Sequence, residues 1–258
     1  RWAQKALDAG VHGLIGVNNL AGGHAGHLSP EALLHDIGKQ EVPERVRFRN
    51  DSFTLVESKL YQEHVGHSVR LAQPMGLLPE ALLAISQHHE MADGSGFPLA
   101  CPGEKMLPIS HVLALINRYD GLCNPPNPVW ALTPHEALSR IFAQMRGRFD
   151  KTTLNAFIRM MGIYPPGSLV QLSDQRYAMV VLVNAARPLK PRVLVHDVRI
   201  PLNEALLLNL EEAPQLSVMR SLKPQQLPRS ALEYLAPRQR VCYFFERAVD
   251  AQGTASQA

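Results

Sequence analysis

The sequence predicts a mainly helical fold followed by a small C-terminal antiparallel β appendage. Between residues 31 and 161, apolar segments of helical length alternate with breaks that contain proline or glycine. After the turn Tyr164 to Gly167 the apolar segments become short, rich in β-branched residues and separated by turn residues. We therefore expect a helical domain over residues 1–166, a β-rich subdomain over 167–250 and a disordered tail over 251–258.

The individual elements begin and end at recognisable signals. Ser29-Pro30, Pro79-Glu80 and Thr133-Pro134 are typical helix starts. The expected helices cover residues 2–9, 31–38, 55–73, 81–90, 108–122, 137–145, 151–161 and 230–235. The expected strands cover residues 168–172, 178–184, 192–196 and 240–245.

Composition excludes several classes of protein. The 26 basic and 23 acidic residues give a net charge of +3, which is too small to indicate DNA binding or an acidic membrane surface. No apolar segment approaches the roughly 20 residues that span a bilayer, so we expect no membrane insertion. Three widely separated cysteines favour neither a disulfide framework nor a zinc knuckle, and they fit a reducing cytoplasm. Because the chain starts at Arg1 without a methionine, we expect it to be part of a longer protein with an upstream sensor or regulatory domain.

A His-Asp pair at the end of the first apolar helix is the strongest candidate for chemistry. The His35 imidazole can hold one metal ion, while the two oxygens of Asp36 can bridge that ion to a second. Lys39 lies about one turn further on, where its ammonium can meet an anion. The alternative is an ordinary helix C-terminus with a favourable cation and a surface carboxylate. The pair alone leaves both interpretations open.

Further candidate ligands lie on later helices. His88 and His89 end an apolar helix, as His35 and Asp36 do, and burying two imidazoles without partners is costly. His64 lies on the helix between these pairs and shares a face with His67, whose conservative interpretation is an exposed histidine. The remaining histidines give weaker signals: His24 and His27 lie in a glycine-rich segment, His111 is expected to be structural, His135 exposed, and the His196-Asp197 pair a chance occurrence.

Three motifs together resemble the HD-GYP family of the HD phosphohydrolase superfamily. They are His35-Asp36-Ile37-Gly38-Lys39, then His64, then His88-His89-Glu90 followed by Asp93 to Pro98, and the resemblance runs from about Glu31 to Ser168. The resemblance implies an HD-type helical bundle that holds two divalent ions, iron or manganese, and hydrolyses cyclic di-GMP to the linear dinucleotide or to GMP. It further implies the metal ligands His35, Asp36, His64, His88, His89 and Asn117, with Asp36 as bridge. It also implies catalytic roles at the substrate phosphate for Asp36, Lys39 and Asp120.

The chemistry of these residue types agrees with that implication. Imidazole and carboxylate ligands suit iron or manganese better than thiolates would. Two adjacent ions can lower the pKa of a water molecule and neutralise a phosphodiester as it is attacked, so no protein nucleophile is needed.

The sequence also departs from the family pattern. Asn117 stands where the family usually has an aspartate, residues 3–5 lack the usual upstream Glu or His ligand, and Pro125 to Pro128 replace a basic phosphate clamp. Phe97 replaces the signature tyrosine, which removes one hydroxyl but keeps the ring. Three functions therefore stay open. They are a cyclic di-GMP phosphodiesterase, an impaired scaffold that contacts a diguanylate cyclase through Asp93 to Pro98, and an HD hydrolase of another phosphate ester.

Overall fold

The computed structural model describes residues 34–48, 52–201 and 204–237. A 3-10 helix, Ile37–Glu41, precedes the α-helices. These are α1 Glu44–Arg47, α2 Leu55–Gln62, α3 His64–Ala72, α4 Pro79–Gln87, α5 Pro108–Cys123, α6 Pro134–Gln144, α7 Lys151–Met161 and α8 Arg229–Leu235. None of the helices within these ranges combines the length and the apolar character required to cross a membrane.

Local sequence signals explain most helix starts. The hydroxyl oxygens of Thr54 and Thr133 each accept a hydrogen bond from the backbone N–H of the glutamate three residues later. The carboxylate of that glutamate accepts one from the threonine backbone N–H in return, so α2 and α6 begin with capping boxes. Asp150 caps α7 through Thr153 N in a similar way. Proline occupies the first turn of α4, α5 and α6, where its missing N–H has no cost.

Two predicted helices differ from the structure, and the same kind of hydrogen bond explains both differences. The single helix predicted over 55–73 is interrupted at Glu63, and the helix predicted over 81–90 ends at Gln87. At each point a histidine side chain donates its Nδ1 hydrogen to the carbonyl oxygen three residues earlier, His64 to Tyr61 at 2.5 Å and His88 to Ile85 at 2.6 Å. These side chains compete with the helical backbone hydrogen bonds.

The first predicted helix also differs from the structure. Leu34 is helical, whereas His35 and Asp36 lie in a turn, and the chain continues through Gly38 as the 3-10 helix instead of stopping there. Residues 31–33 lie outside the described residues, as do the predicted helix 2–9, the predicted strand 240–245 and the tail 251–258.

Two hydrophobic clusters lie in the helical part. The larger is formed by α5, α6, α7 and the turn before α7, and its buried members include Leu115, Tyr119, Ile141, Phe157 and Met161. The smaller lies between the 3-10 helix, α3 and α4, and its buried members are Leu34, Ile37, Ala72 and Ile85. The second cluster packs together the segments that carry the candidate ligands.

An antiparallel sheet of five strands follows the helices, which confirms the predicted fold class. The strands are β1 Leu169–Leu172, β2 Tyr177–Leu182, β3 Arg192–Val195, β4 Leu206–Asn209 and β5 Val218–Leu222, in the spatial order β4-β3-β2-β1-β5. The sequence analysis missed β4 and β5 because Leu-Leu-Leu-Asn has no β-branched residue and Val-Met-Arg-Ser-Leu has only one. The helix α8 packs on one face of the sheet, near the place predicted.

A few polar contacts join the sheet region to the helices. The hydroxyl oxygens of Thr133 and Ser221 are 3.0 Å apart. His135, which we expected to be exposed, is half-buried because its Nδ1 hydrogen bonds the Ile163 carbonyl oxygen at 2.8 Å and its ring stacks on Tyr164. This histidine therefore fixes the start of the connection into β1.

Candidate metal centre

Three separate segments bring their ligand-type side chains to one place. Asp36 lies in the turn before the 3-10 helix, His64 is the first residue of α3, and His88 and His89 directly follow α4. One ligand atom from each of these four residues lies within 4.8 Å of the other three. The structure therefore brings together four of the residues that the family resemblance implies as metal ligands.

Gly38 allows the 3-10 helix to lie directly against α3. A Cβ atom at this position would overlap the His64 carbonyl oxygen and the Ser68 backbone nitrogen. The Gly38 N–H donates to the buried Ser68 hydroxyl oxygen at 2.8 Å, which ties the two segments together. Any side chain at residue 38 would push Asp36 away from His64.

The backbone fixes the orientation of two imidazoles. A carbonyl oxygen can only accept, so the Nδ1 atoms of His64 and His88 must donate to Tyr61 and Ile85. In a neutral ring the other nitrogen, Nε2, then carries a lone pair. Such a hydrogen bond from the outer nitrogen is the arrangement that metal-binding histidines typically have.

The atoms that converge are Asp36 Oδ1 and the Nε2 atoms of the histidines. They face one another as hydrogen-bond acceptors, with no donor among them. The Nε2 atoms of His64 and His88 are 3.4 Å apart, and each is 3.4 Å from Asp36 Oδ1. Asp36 Oδ1 is buried and has no hydrogen-bond partner in the described part of the chain. The His89 Nε2 atom lies 3.1 Å from that of His64. A cation between these atoms would satisfy all of them, so the residues fit a divalent metal ion.

Electrostatics keep the ligands in the protonation states that a metal requires. Burial raises the pKa of Asp36, but the nearby Lys39 ammonium helps to lower that pKa, which lies well below its usual range. Burial lowers the pKa of His88, and burial together with His88 and His64 lowers the pKa of His89 strongly. The Asp36 carboxylate is therefore ionised, and the His88 and His89 imidazoles are neutral near pH 7.

The second oxygen of Asp36 faces a different set of groups. Asp36 Oδ2 is 2.6 Å from Lys39 Nζ and 3.6 Å from His35 Nε2. Burial lowers the pKa of Lys39, but Asp36 outweighs burial and the pKa is raised, so the ammonium remains charged. The His35 ring lies 5.0 Å from the His88 ring. The carboxylate thus points one oxygen at His64 and His88 and the other at His35 and Lys39.

Glu90 anchors the segment Asp93 to Pro98 through hydrogen bonds to the backbone that follows it. The sequence analysis missed this role. Glu90 is fully buried, and its two oxygens accept from the backbone nitrogens of Leu99 at 2.7 Å and Cys101 at 2.8 Å. The Phe97 ring stacks on the His89 ring with centroids 4.5 Å apart. Glu90 therefore holds the loop whose phenylalanine supports a candidate ligand.

Two further predicted site residues lie on α5. The Asn117 Nδ2 atom is buried without a hydrogen-bond partner in the described ranges, and no hydrogen bond connects Asn117 to the four ligand-type residues there. The Asp120 carboxylate accepts from Asn124 at the end of the same helix, at 2.7 Å. Their predicted roles as ligand and phosphate contact remain predictions.

Two further histidines contact other residues. His67 contacts the Glu41 carboxylate at 3.2 Å, and the His196 ring packs against Tyr234. His24, His27 and residues 3–5 lie outside the described residues. The candidate ligands of a third metal ion therefore lie outside the described part of the chain.

Tyr61 is a neighbour of the cluster that sequence reasoning did not single out. Its ring centroid lies 4.8 Å from that of His64 and 5.6 Å from Lys39 Nζ. The only available signal was its position three residues before His64, where a helical residue shares a face with it.

Comparison with known proteins agrees with this geometry. Residues 24–153 match the family model described as HD domain. The chain is 32% identical over 169 residues to "Cyclic di-GMP phosphodiesterase PA4108" of Pseudomonas aeruginosa, which covers 63% of this chain and 39% of that protein. It is 28% identical to "Cyclic di-GMP phosphodiesterase response regulator RpfG" of Xanthomonas campestris, over 50% of this chain and 34% of that protein.

A further relative is named for a different substrate. The chain is 29% identical to "3'3'-cGAMP-specific phosphodiesterase 2" of Vibrio cholerae, over 40% of this chain and 20% of that protein. All of these matches span well under half the length of the relatives. The matched family model covers half of this chain and includes every ligand-type residue of the cluster. The chain therefore belongs to the HD-domain family, in its HD-GYP group.

Proposed function

We propose that the protein is a metal-dependent phosphodiesterase that hydrolyses cyclic di-GMP to the linear dinucleotide or to GMP. The observation that carries this proposal is the convergence of Asp36 Oδ1 with the Nε2 lone pairs of His64 and His88. The names of the relatives PA4108 and RpfG support cyclic di-GMP as the substrate.

Two ions, iron or manganese, are proposed for the cluster. Asp36 Oδ1, His64, His88 and His89 would hold one ion, and Asp36 Oδ2 with His35 would hold the other, with Asn117 as a further ligand. The two oxygens of Asp36 face these two sets of groups, which supports its role as the bridge. When bound, the ions would lower the pKa of a water molecule and offset the negative charge of the phosphodiester.

Residues of the chain would orient the substrate. The Lys39 ammonium, next to Asp36 Oδ2, is suitably placed to contact a non-bridging phosphate oxygen. We propose Asp120 as a second residue near the phosphate, on the basis of the resemblance alone. Tight packing of Gly38 on α3 keeps Asp36 in register with His64.

The test is hydrolysis and metal content of one ligand variant and one matched control. His88→Gln removes a buried imidazole of the cluster, whereas His67→Gln removes an imidazole of α3 that contacts Glu41 instead. Protein loaded with Fe(II) or Mn(II) is assayed for cleavage of cyclic di-GMP by chromatography and for bound metal by mass spectrometry. We expect His88→Gln to lose more than about a hundredfold in activity and most of its metal, and His67→Gln to lose neither. An inactive wild type with full metal content would refute the proposal.

A scaffold with little turnover is the second candidate, and Asn117 favours it. A neutral amide supplies less charge to a metal than the aspartate usual in the family, and the Asn117 amide nitrogen is buried without a partner in the described ranges. Asn117→Asp distinguishes the two candidates. A large gain in cyclic di-GMP hydrolysis supports an impaired scaffold, whereas an unchanged rate in an active wild type contradicts it.

Another phosphate ester is the third candidate, since the proposed metal ligands would act on a phosphate group and do not select a base. The relative named as specific for 3'3'-cGAMP favours including that compound. Parallel assays with cyclic di-GMP and 3'3'-cGAMP give the preferred substrate as the ratio of the two kcat/KM values.

A protein partner is proposed for the loop Asp93 to Pro98. The loop is held by Glu90 and exposes Asp93, Ser95 and Pro98, which suits contact with a diguanylate cyclase domain. An Asp93→Lys variant is expected to weaken binding to such a domain in a titration. We also propose an upstream regulatory domain, and the cytoplasm as the location, because separated free cysteines fit a reducing compartment.

A further inference from the structure

Two aromatic rings form a ledge that leads from the protein surface to the metal cluster. The ledge consists of Phe53 and Tyr61, whose ring centroids are 5.3 Å apart. Tyr61 lies against the ring of His64, which is fully buried, while Phe53 is 38% exposed. The ledge therefore connects solvent with the buried edge of the cluster.

Both ends of the ledge are fixed by hydrogen bonds. Thr54, directly after Phe53, forms the capping box with Glu57 that starts α2. The Tyr61 carbonyl oxygen accepts the Nδ1 hydrogen of His64. A platform held in this way loses little entropy when a ligand binds on it.

Packing of α2 does not explain the ledge. None of the residues of α2 is fully buried, and Leu55 and Val56 are largely exposed. Tyr61 therefore lies against the cluster and Phe53 lies against Tyr61, and neither belongs to a hydrophobic cluster of the described residues.

The groups around the ledge suit one class of ligand. Lys39 Nζ lies 5.6 Å from the Tyr61 ring centroid and 2.6 Å from Asp36 Oδ2. A ligand that contacts both the ledge and Lys39 needs a flat aromatic group close to an anion. Nucleotides have this combination, and aromatic side chains stack on the faces of bases regardless of their sequence.

We propose that Phe53 and Tyr61 form a nucleobase platform, on which the guanine next to the phosphate held at the cluster stacks. The identity of the base rests on the proposed function. The platform itself rests on the ledge, Lys39 and the cluster.

The experiment compares GMP with inorganic phosphate, because only GMP carries a base. Their binding to manganese-loaded protein is measured by calorimetry for Phe53→Leu, Tyr61→Leu and Tyr61→Phe. We expect Tyr61→Leu to weaken GMP binding by about five- to a hundredfold and Phe53→Leu by about fivefold. Tyr61→Phe keeps the ring, so we expect GMP binding within about twofold of wild type. Metal content is expected to stay unchanged in all three, and phosphate binding in Phe53→Leu, whose ring neighbour is Tyr61. The Tyr61 hydroxyl also contacts Lys39, so the two Tyr61 variants are compared by the ratio of the change in GMP binding to the change in phosphate binding.

Phe48→Leu is the matched control. Phe48 is an exposed phenylalanine of the same region, but its ring contacts the Arg47 guanidinium instead of Tyr61. We expect this variant to bind GMP as the wild type does. An equal effect of Phe48→Leu and Phe53→Leu would overturn the proposal.

Other outcomes separate the platform from the proposed function. Unchanged GMP affinity in both leucine variants, or equal losses for GMP and phosphate, rejects the platform. Absence of GMP binding by the wild type rejects it as well. If the wild type binds GMP through the ledge but cleaves no cyclic di-GMP, the platform stands and the proposed phosphodiesterase activity fails. If Tyr61→Leu unfolds in a thermal melt, Phe53→Leu at the exposed end of the ledge decides the outcome.

Discussion

At the scale of single residues, the same dipeptide has different surroundings at two places in the chain. His35-Asp36 meets three further imidazoles, whereas Asp197 forms an ion pair with Arg199 at the end of a strand. The sequence separated the two cases because only the first was followed by His64 and the His88-His89 pair at segment ends. It did not single out Tyr61, because the position of Tyr61 three residues before His64 was a weak signal and a tyrosine on a helix does not reveal what faces it.

The Lys39 ammonium forms an ion pair with one oxygen of the Asp36 carboxylate, so Lys39 is expected to affect the affinity for a second metal ion. Its ammonium lies where a second cation would approach Oδ2. Lys39→Met removes this competing charge, so we expect affinity for the second ion to rise by about tenfold, the equivalent of one pKa unit. We expect hydrolysis to fall because the phosphate loses a contact. Calorimetric titration with Mn(II) measures the first effect.

Lys105→Met provides the control for that titration. Lys105 is an exposed residue in the turn before α5, and its removal is expected to leave both ion affinities unchanged. Equal titrations of Lys39→Met and wild type would show that Lys39 does not compete with a metal.

At the scale of elements, the ends of helices were the hardest features to predict. The same helix ends carry the ligand-type residues His64, His88 and His89. The sequence located α4 within a few residues but predicted α2 and α3 as one continuous helix. Their ends were wrong because the imidazoles of His64 and His88 bond to backbone carbonyls, and that choice depends on tertiary packing. Helix α7 was predicted to the residue because its cap at Asp150 and its terminal Gly162 are local signals.

Glu90 gives a prediction for the loop element. Glu90→Gln replaces one of two carboxylate acceptors by an amide nitrogen that faces a backbone N–H, in a fully buried position. We expect the free energy of unfolding to fall by about 1–3 kcal/mol, measured by urea denaturation. We also expect weaker metal binding, because Phe97 supports the His89 ring.

Glu104→Gln is the comparison for that measurement. Glu104 is exposed, so its change is expected to stay within about 0.5 kcal/mol. A loss of the same size in both variants would mean that Glu90 does not anchor the loop.

At the scale of the whole molecule, helices and sheet have separate hydrophobic clusters. The two helical clusters contain buried residues up to Met161, and the two sheet clusters begin at Val170 and Leu169. The change from helices to strands near residue 166 was predictable, because the apolar period changes there. That this point divides the chain into two domains stays a prediction. The order of the strands was not predictable, because β5 pairs with β1 across some fifty intervening residues.

A shortened chain tests this division. We expect a chain ending at Pro166 to stay helical by circular dichroism and to keep its bound metal, because the ligand-type residues lie before that point. We expect a lower melting temperature, since the contact between Thr133 and Ser221 is lost and Tyr164 no longer packs on the sheet. A shortened chain that folds without metal would show that the sheet supports the site.

The two histidine-to-carbonyl bonds have a consequence for how such a centre can diverge. The groups that aim the metal-facing nitrogens of His64 and His88 belong to the main chain of residues 61 and 85, and every amino acid supplies the same carbonyl. A substitution at residue 61 can therefore change which ligand binds next to the cluster, while the orientation of the His64 imidazole stays the same.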